Sequence, residues 1–273
     1  MLQLKFCNKI VAYADDLKLI GTPGQSLQSD LDKIAAWVKP NSMSINNKKC
    51  ECLHLGKPKS VYQYSIDSLP IPSVDSICDL GLTVDRSLSF RQHCSAVCSK
   101  ARRLVGLIFR LFHCKDATLF IKFFNCYVIP LLDYCAVFYT RTSKHNIKVV
   151  ERVQKRFLYK LFKRCYPRVA IPSYTERLGL FSLESLALRY EKLDLVTLYK
   201  ILTHSLHAPG WAIQFSPRHP KLIKFPRVFT SLYRSSFFHR SLVLWNRKSK
   251  LLNLSSFSSF KLSINSRTSA VVP

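Results

Sequence analysis

Glycine is scarce in this chain, 7 of 273 residues, which excludes collagen-like repeats and Gly-rich linkers. Acidic residues are scarce as well. Only 16 Asp plus Glu stand against 42 Lys plus Arg, a net charge of +26 at pH 7. Such an excess calls for an anionic partner, either nucleic acid or an anionic membrane surface. The 12% aromatic content favours nucleic acid, because bases stack on rings while phosphates pair with Lys and Arg. The start, Met1-Leu2-Gln3-Leu4-Lys5-Phe6, lacks a basic region followed by an apolar core and a cleavage site. We therefore expect an intracellular chain, nuclear or cytoplasmic, whose ten cysteines are free thiols. The tightest cysteine pairs, Cys50-x-Cys52 and Cys94-x3-Cys98, lack the Cys-x2-Cys…His-x3-His spacing of a zinc site.

Apolar residues are plentiful, at 48%, and this excludes a disordered chain. The length suits one large domain or two to three small ones. Residues 117–139 form the most apolar stretch, but Lys122, Asp133 and Pro130 interrupt it. Each charge costs about 2.5–3.5 kcal/mol near mid-membrane, so two short buried helices fit better than a membrane span.

Up to about residue 86 the pattern is that of strands with one helix. Ile10-Val11-Ala12-Tyr13 and Leu17-Lys18-Leu19-Ile20 flank Ala14-Asp15-Asp16, a hairpin with two carboxylates at its tip. Leu27, Leu31, Ile34 and Val38 mark one face of a helix that Pro40-Asn41 stops. Residues 43–55, 61–66 and 77–84 read as further strands, with Tyr62, Tyr64 and Ile66 on one buried face. From Ser87 the period changes. Phe90, Cys94, Val97, Ala101, Leu104, Ile108 and Leu111 alternate spacings of four and three, an amphipathic helix whose other faces carry Arg91, Lys100, Arg102, Arg103 and Arg110. His93 and Cys94 read as a surface polar group and a packing thiol. A second helix spans 143–163, with Ile147, Val150, Val153, Phe157 and Leu161 inward and Lys148, Arg152, Lys155, Arg156, Lys160 and Lys163 outward. A third spans 182–202, with Leu183, Leu186, Tyr190, Leu193 and Leu198 facing in. Beyond it, Pro209, Pro217, Pro220 and Pro226 lie among Arg218, Lys221, Lys224 and Arg227, and the Ser-rich end from Leu254 reads as loosely held.

Adjacent carboxylates repel one another and resist desolvation, and a nearby cation relieves both costs. Mg²⁺ takes one or two carboxylates together with substrate phosphates, and paired ions hold the attacking and leaving oxygens of phosphoryl transfer. Asp15-Asp16 thus reads as a Mg²⁺ half-site or as a solvated turn, where Asp is common.

Val11-Ala12-Tyr13-Ala14-Asp15-Asp16-Leu17-Lys18-Leu19 resembles motif C of the reverse transcriptases of non-LTR (LINE-type) retrotransposons. Downstream, Ser44-Ile45-Asn46-x-x-Lys49-Cys50 resembles motif D, and Cys78-Asp79-Leu80-Gly81-Leu82-Thr83-Val84-Asp85 resembles motif E. Gly106-Leu107-Ile108-Phe109-Arg110 resembles the thumb helix of that family, and Glu151-Arg152-Val153-Gln154-Lys155-Arg156-Phe157 the helix beyond. Ser236-Phe237-Phe238-x-Arg240-Ser241-x-x-Leu244-Trp245-Asn246 resembles the tail of jockey-like elements.

The resemblance implies an α+β, mainly α chain: a partial polymerase palm over 1–86, a helical thumb over 87–165 and a basic C-terminal region over 166–273. It implies Asp15 as a Mg²⁺ ligand with Asp16 as second ligand or neighbour, and Lys49 acting on the leaving pyrophosphate. Leu80 and Gly81 would grip the primer end. Lys100, Arg102, Arg103, Arg110, Lys155 and Arg156 would lie along an RNA template paired with a DNA primer. Motifs A and B, which complete the metal site and hold the nucleotide, would belong upstream of motif C. The expectation is thus a truncated RNA-directed DNA polymerase that binds nucleic acid and does not polymerise alone. A non-catalytic relic or domesticated binding module is the alternative.

Overall fold

The computed structural model describes residues 5–56, 62–208, 213–217 and 219–265. Residues 1–4, Val61, Pro209, Arg218 and residues 266–273 lie outside that set. The chain divides into two compact units, 1–89 and 90–273. It is mainly helical, with small two-stranded sheets.

The first unit opens with the hairpin β1 (Lys9–Tyr13) and β2 (Asp16–Ile20), in register from Lys9 opposite Ile20 to Tyr13 opposite Asp16. Its two-residue loop is Ala14-Asp15, with Ala14 left-handed at φ 51°. Helix α1 (Gln25–Val38) follows and buries Ile34, Ala35 and Val38. It also buries Asp30, which no periodicity argument selects. Both Asp30 oxygens accept from the Cys7 amide (3.0 and 3.1 Å), and Oδ2 accepts from the Asn8 amide (2.8 Å) and the Asn8 side chain (3.0 Å). Lys33 Nζ completes the set at 3.0 Å. Burial pushes the Asp30 carboxyl up, but the bonds from Lys33, Asn8 and the Cys7 amide outweigh it and hold the group at about 2. The chain entering β1 is thereby tied to α1. At the hairpin's far end, the Asn8 side-chain oxygen lies 2.1 Å from where a Cβ on Gly21 would stand, so a larger residue there would have to displace Asn8.

The remaining strands are short: β3 (Cys52–Leu53), β4 (Ser65–Ile66), β5 (Leu69–Pro70), β6 (Ser73–Val74), β7 (Ser76–Asp79) and β8 (Leu82–Asp85). β3 pairs in parallel with β6, β4 with β5 and β7 with β8 as hairpins. The long strand expected over 43–55 is absent. A single 3-10 turn, Asn47–Lys49, replaces its middle. The strand expected to end at Ile66 is reduced to Ser65–Ile66, and on its other edge the Gln28 side chain donates to the Ser65 carbonyl (2.8 Å) and accepts from the Ser65 amide (3.0 Å). The expected alternation survives in the packing. Tyr64 and Ile66 are buried with Ala35 and Ile71, and Tyr62 packs against them.

In the second unit, α2 (Arg91–Leu111) lies against α6 (Lys144–Cys165). They run parallel, since Cys94 meets Asn146 near their starts and Phe109 meets Phe157 toward their ends. Between them in sequence come α3 (Ala117–Phe123), a π turn over Phe124–Val128, α4 (Ile129–Asp133) and α5 (Ala136–Tyr139). This is the apolar stretch 117–139. Pro130 sits in the first turn of α4, where its missing N–H costs nothing. Asp133 is paired with Arg189, and no described helix is long and apolar enough to cross a membrane. Phe109 stacks on Phe120 at 4.7 Å and Phe124 on Phe157 at 4.1 Å, which locks α3 and the π turn onto α2 and α6.

The α2 stripe is wider than the expected one: Phe90, Cys94, Val97, Ala101 and Ile108 are buried as their spacing requires, and further residues join them. His93, Cys98, Val105 and Phe109 are buried, whereas Leu111 is 61% exposed. His93 is not a surface group. It lies edge-on to Tyr139 at 4.8 Å, and burial, with Lys100 adding to it, lowers its pKa.

Helices α7 (Tyr174–Leu180) and α8 (Leu186–Leu202), the hairpin β9 (Phe215–Ser216) and β10 (His219–Ile223), then α9 (Ser231–Ser235), α10 (Phe237–Lys248) and α11 (Phe257–Asn265) complete the chain. The Ser-rich end is not loose as far as it is described. Phe260 of α11 is fully buried against Tyr199 and Trp245. Asn246 grips Ile223 through both backbone groups (2.9 and 2.8 Å), and Trp245 Nε1 donates to the Lys221 carbonyl (3.0 Å). The Trp-Asn pair of the tail pattern is thus a clasp on β10.

Candidate nucleic-acid interface

Two sets of groups, one in each unit, carry the chemistry. In the first unit, Asp15 and Asp16 are exposed at the β1–β2 tip beside Tyr13, which is 65% exposed. The hairpin projects them because its apolar residues give out at the turn. Side chains two apart on a strand share a face, so Asp16 and Lys18 point the same way. Lys18 Nζ makes an ion pair with Asp79 Oδ1. This contact joins the tip-bearing hairpin to the β7–β8 hairpin, whose loop is Leu80-Gly81. Leu80 (φ 46°) and Gly81 (φ 83°) are both left-handed, the geometry of a type I′ turn. Gly81 adopts it freely. Leu80 does so at a cost of about 1–2 kcal/mol and is 42% exposed.

Lys49 lies on the Asn47–Lys49 turn, exposed, and makes no ion pair among the described residues. The structure thus brings the Asp15-Asp16 hairpin to the Leu80-Gly81 hairpin and records no comparable link to Lys49.

The two exposed carboxylates suit a hard divalent ion that keeps most of its waters and takes substrate phosphates as further ligands. No group of three or more His, Cys, Asp or Glu among the described residues is placed to hold a metal. All ten cysteines are free thiols.

In the second unit, α2 contains no acid, and α6 contains only Glu151, which is occupied by Tyr174 and the Ala187 amide. Lys100, Arg103 and Arg110 are exposed at spacings of three and seven, one stripe of α2, and Arg102 is half-buried beside it. On α6, Lys148, Arg152 and Lys155 are exposed at spacings of four and three, with Arg156 exposed at their flank. Lys155 Nζ sits over the Tyr174 ring at 4.9 Å. Exposed cations on two parallel helices are groups of the kind that phosphates contact.

Where the two helices end, a shallow groove of about 440 Å³ opens, lined by Gly106, Phe109, Arg110, Tyr159, Lys160, Lys163 and Arg164. Of these, the sequence pattern places only Arg110 among the binding residues. The i, i+4 pair Tyr159 and Lys163, one turn beyond Lys155, is the signal that could have found it.

No family model and no solved structure matches the chain. An uncharacterized protein from Caenorhabditis elegans is 30% identical to it over 135 residues, which cover 50% of this chain and 67% of that protein. The chain belongs to one family with that nematode protein.

Proposed function

We propose that this chain binds an RNA template paired with a DNA primer, as palm and thumb segments of a reverse transcriptase of the non-LTR retrotransposon type. The observation that carries the reading is the Lys18–Asp79 ion pair. It links the hairpin that carries Tyr-Ala-Asp-Asp to the hairpin that carries Leu80-Gly81, which supports a site that presents a primer end to paired carboxylates. The cations of α2 and α6 support duplex binding, since they lie where phosphates can reach them and carry no sequence preference.

In this reading Asp15, with Asp16 beside it, holds Mg²⁺, which when bound supplies Lewis acidity for attack of a primer 3′-hydroxyl on a nucleotide α-phosphate. Leu80 and Gly81 position the primer end, and Lys49 faces the departing pyrophosphate. Two carboxylates do not hold two ions in register, so these residues alone bind without polymerising.

Primer extension with the purified chain, Mg²⁺ and deoxynucleotides tests this. Duplex binding without extension is expected. Extension that Asp15→Asn abolishes would overturn the inactivity, and failure to bind duplex at low salt would overturn the whole reading. A second reading, a non-catalytic binding module, is favoured by the confinement of both basic helices to one unit. It predicts that Asp15→Asn changes nothing measurable, while Arg102→Glu with Arg103→Glu lowers RNA affinity.

A further inference from the structure

We infer that the groove at the shared end of α2 and α6 is a separate subsite for one unpaired nucleotide of a nucleic-acid strand, its base on Tyr159 and its phosphate among Arg110, Lys160 and Lys163. The inference rests on the nucleic-acid reading above and adds a ligand class that the duplex face does not need.

The lining is chemically mixed. Four cations and two aromatic rings share it, and no acid does. Inorganic phosphate would use the cations and leave the rings idle. A duplex shows phosphates and base edges but no free base face, so it leaves the rings idle too. An unpaired base offers a flat face for an exposed ring, and its own phosphate lies a few ångströms away for the cations.

The rings are placed for this division. Tyr159 is 42% exposed, whereas Phe109, at 8%, forms the floor. Lys160 and Arg164 each stand 5.8 Å from the Phe109 ring centre, and Lys163 stands 5.6 Å from that of Tyr159. Arg164 is already committed, donating to the Phe112 carbonyl (2.8 Å) and the Phe109 carbonyl (3.1 Å). It therefore fixes the groove wall, and the long side chains of Arg110, Lys160 and Lys163 are the ones able to turn toward an anion. The Arg177 guanidinium, itself buried, sits 5.9 Å from the centre of the Tyr159 ring. Gly106 leaves the space above the floor open: nothing lies within 4 Å of where its Cβ would be. A volume of 440 Å³ falls within the range of small-ligand sites.

Gly106 also provides a test that does not threaten the fold. Gly106→Leu raises helix propensity and fills the groove without removing any charge. Fluorescence anisotropy of the full chain is measured with a labelled 12-nucleotide oligoadenylate and with a 12-base-pair RNA/DNA hybrid. Gly106→Leu and Tyr159→Ala are expected to weaken the single strand about 5- to 100-fold, the range of one lost stacking contact. Hybrid binding should change less than twofold, and Tyr159→Phe should restore the single-strand affinity. Single-strand affinity unchanged by both variants while the wild-type chain binds both probes would overturn the subsite and leave the duplex reading standing. Hybrid binding lost in the wild-type chain while the Tyr159-dependent single-strand binding persists would support the subsite and remove the duplex reading. If anionic phosphatidylserine vesicles, and neither oligonucleotide, bind in a Tyr159-dependent way, the groove is a lipid site and the inference fails.

Discussion

Arg240 clasps Asp194 side-on along one edge of its guanidinium, Nε to Oδ2 at 2.9 Å and Nη2 to Oδ1 at 3.0 Å. Arg141 reaches the same carboxylate at 3.1 Å, and Arg240 also donates to the Val137 carbonyl. Asp194 on α8 is thus the point where α10 and the segment after α5 are fastened together. Removing one partner of a buried pair leaves charge without compensation, which costs about 3–5 kcal/mol. Asp194→Asn should therefore lower the urea midpoint of the second unit by that equivalent. A shift under about 1 kcal/mol would show that the clasp contributes little.

Asp30 gives the first unit an acid limit. Its folded pKa, about 2, is below the unfolded value of 3.8, so its contribution is present above the unfolded value and disappears as pH falls through the folded one. Thermal unfolding of the first unit should lose stability between about pH 4 and pH 2 in the wild-type chain. Asp30→Asn should be less stable at neutral pH and lack that added loss. In the same variant the Cys7 and Asn8 amides should exchange at least tenfold faster, and unchanged exchange there would disprove the tether.

If the chain binds duplex as proposed, the salt dependence reports how many phosphates the basic helices meet. Each cation withdrawn from a phosphate contact lowers the slope of log affinity against log salt by about 1. Arg103→Ala with Lys155→Ala should flatten it by about 2 between roughly 50 and 200 mM salt. A parallel downward shift at unchanged slope would mean that these side chains act through packing.

The Leu80-Gly81 turn separates stability from binding. Leu80→Gly should stabilise the first unit by up to about 1 kcal/mol, because the left-handed conformation no longer costs anything beyond glycine's own entropy. Gly81→Ala should destabilise it by about 1 kcal/mol. If Leu80 contacts a primer end, hybrid affinity falls in Leu80→Gly although the protein is more stable. A stabilised variant with full affinity would assign Leu80 to the turn alone.

How much of this was legible in the sequence depended on whether the information was periodic. The α6 face, with Val150, Val153, Phe157 and Leu161 inward, followed from spacing. The β1–β2 hairpin followed from two apolar runs around two acids. What could not be read were side chains that act on distant backbone. Asp30 and Gln28 sit in α1 like any polar helix residues, and only the folded chain shows one tying down Cys7 and Asn8 and the other standing in for a strand beside Ser65. The widening of the α2 stripe has a similar cause, since His93 and Phe109 are buried by Tyr139, Phe120 and Phe157, which periodicity along α2 does not see.

The parallel run of α2 and α6 has an electrostatic consequence of its own. Each helix ends in partial negative charge on its last carbonyls, and two ends facing the same way add where antiparallel ends would cancel. Arg110, Lys160, Lys163 and Arg164 gather at that shared negative pole. Part of their charge is therefore balanced before any ligand arrives, and an incoming phosphate competes with the helix ends for them. The opposite end of the pair, where Arg91 and Lys144 begin the helices, has cations at a pole that is already positive. Along its length the helix pair thus has a polarity, and a polyanion laid across it would be held more strongly toward the start than a count of side chains suggests.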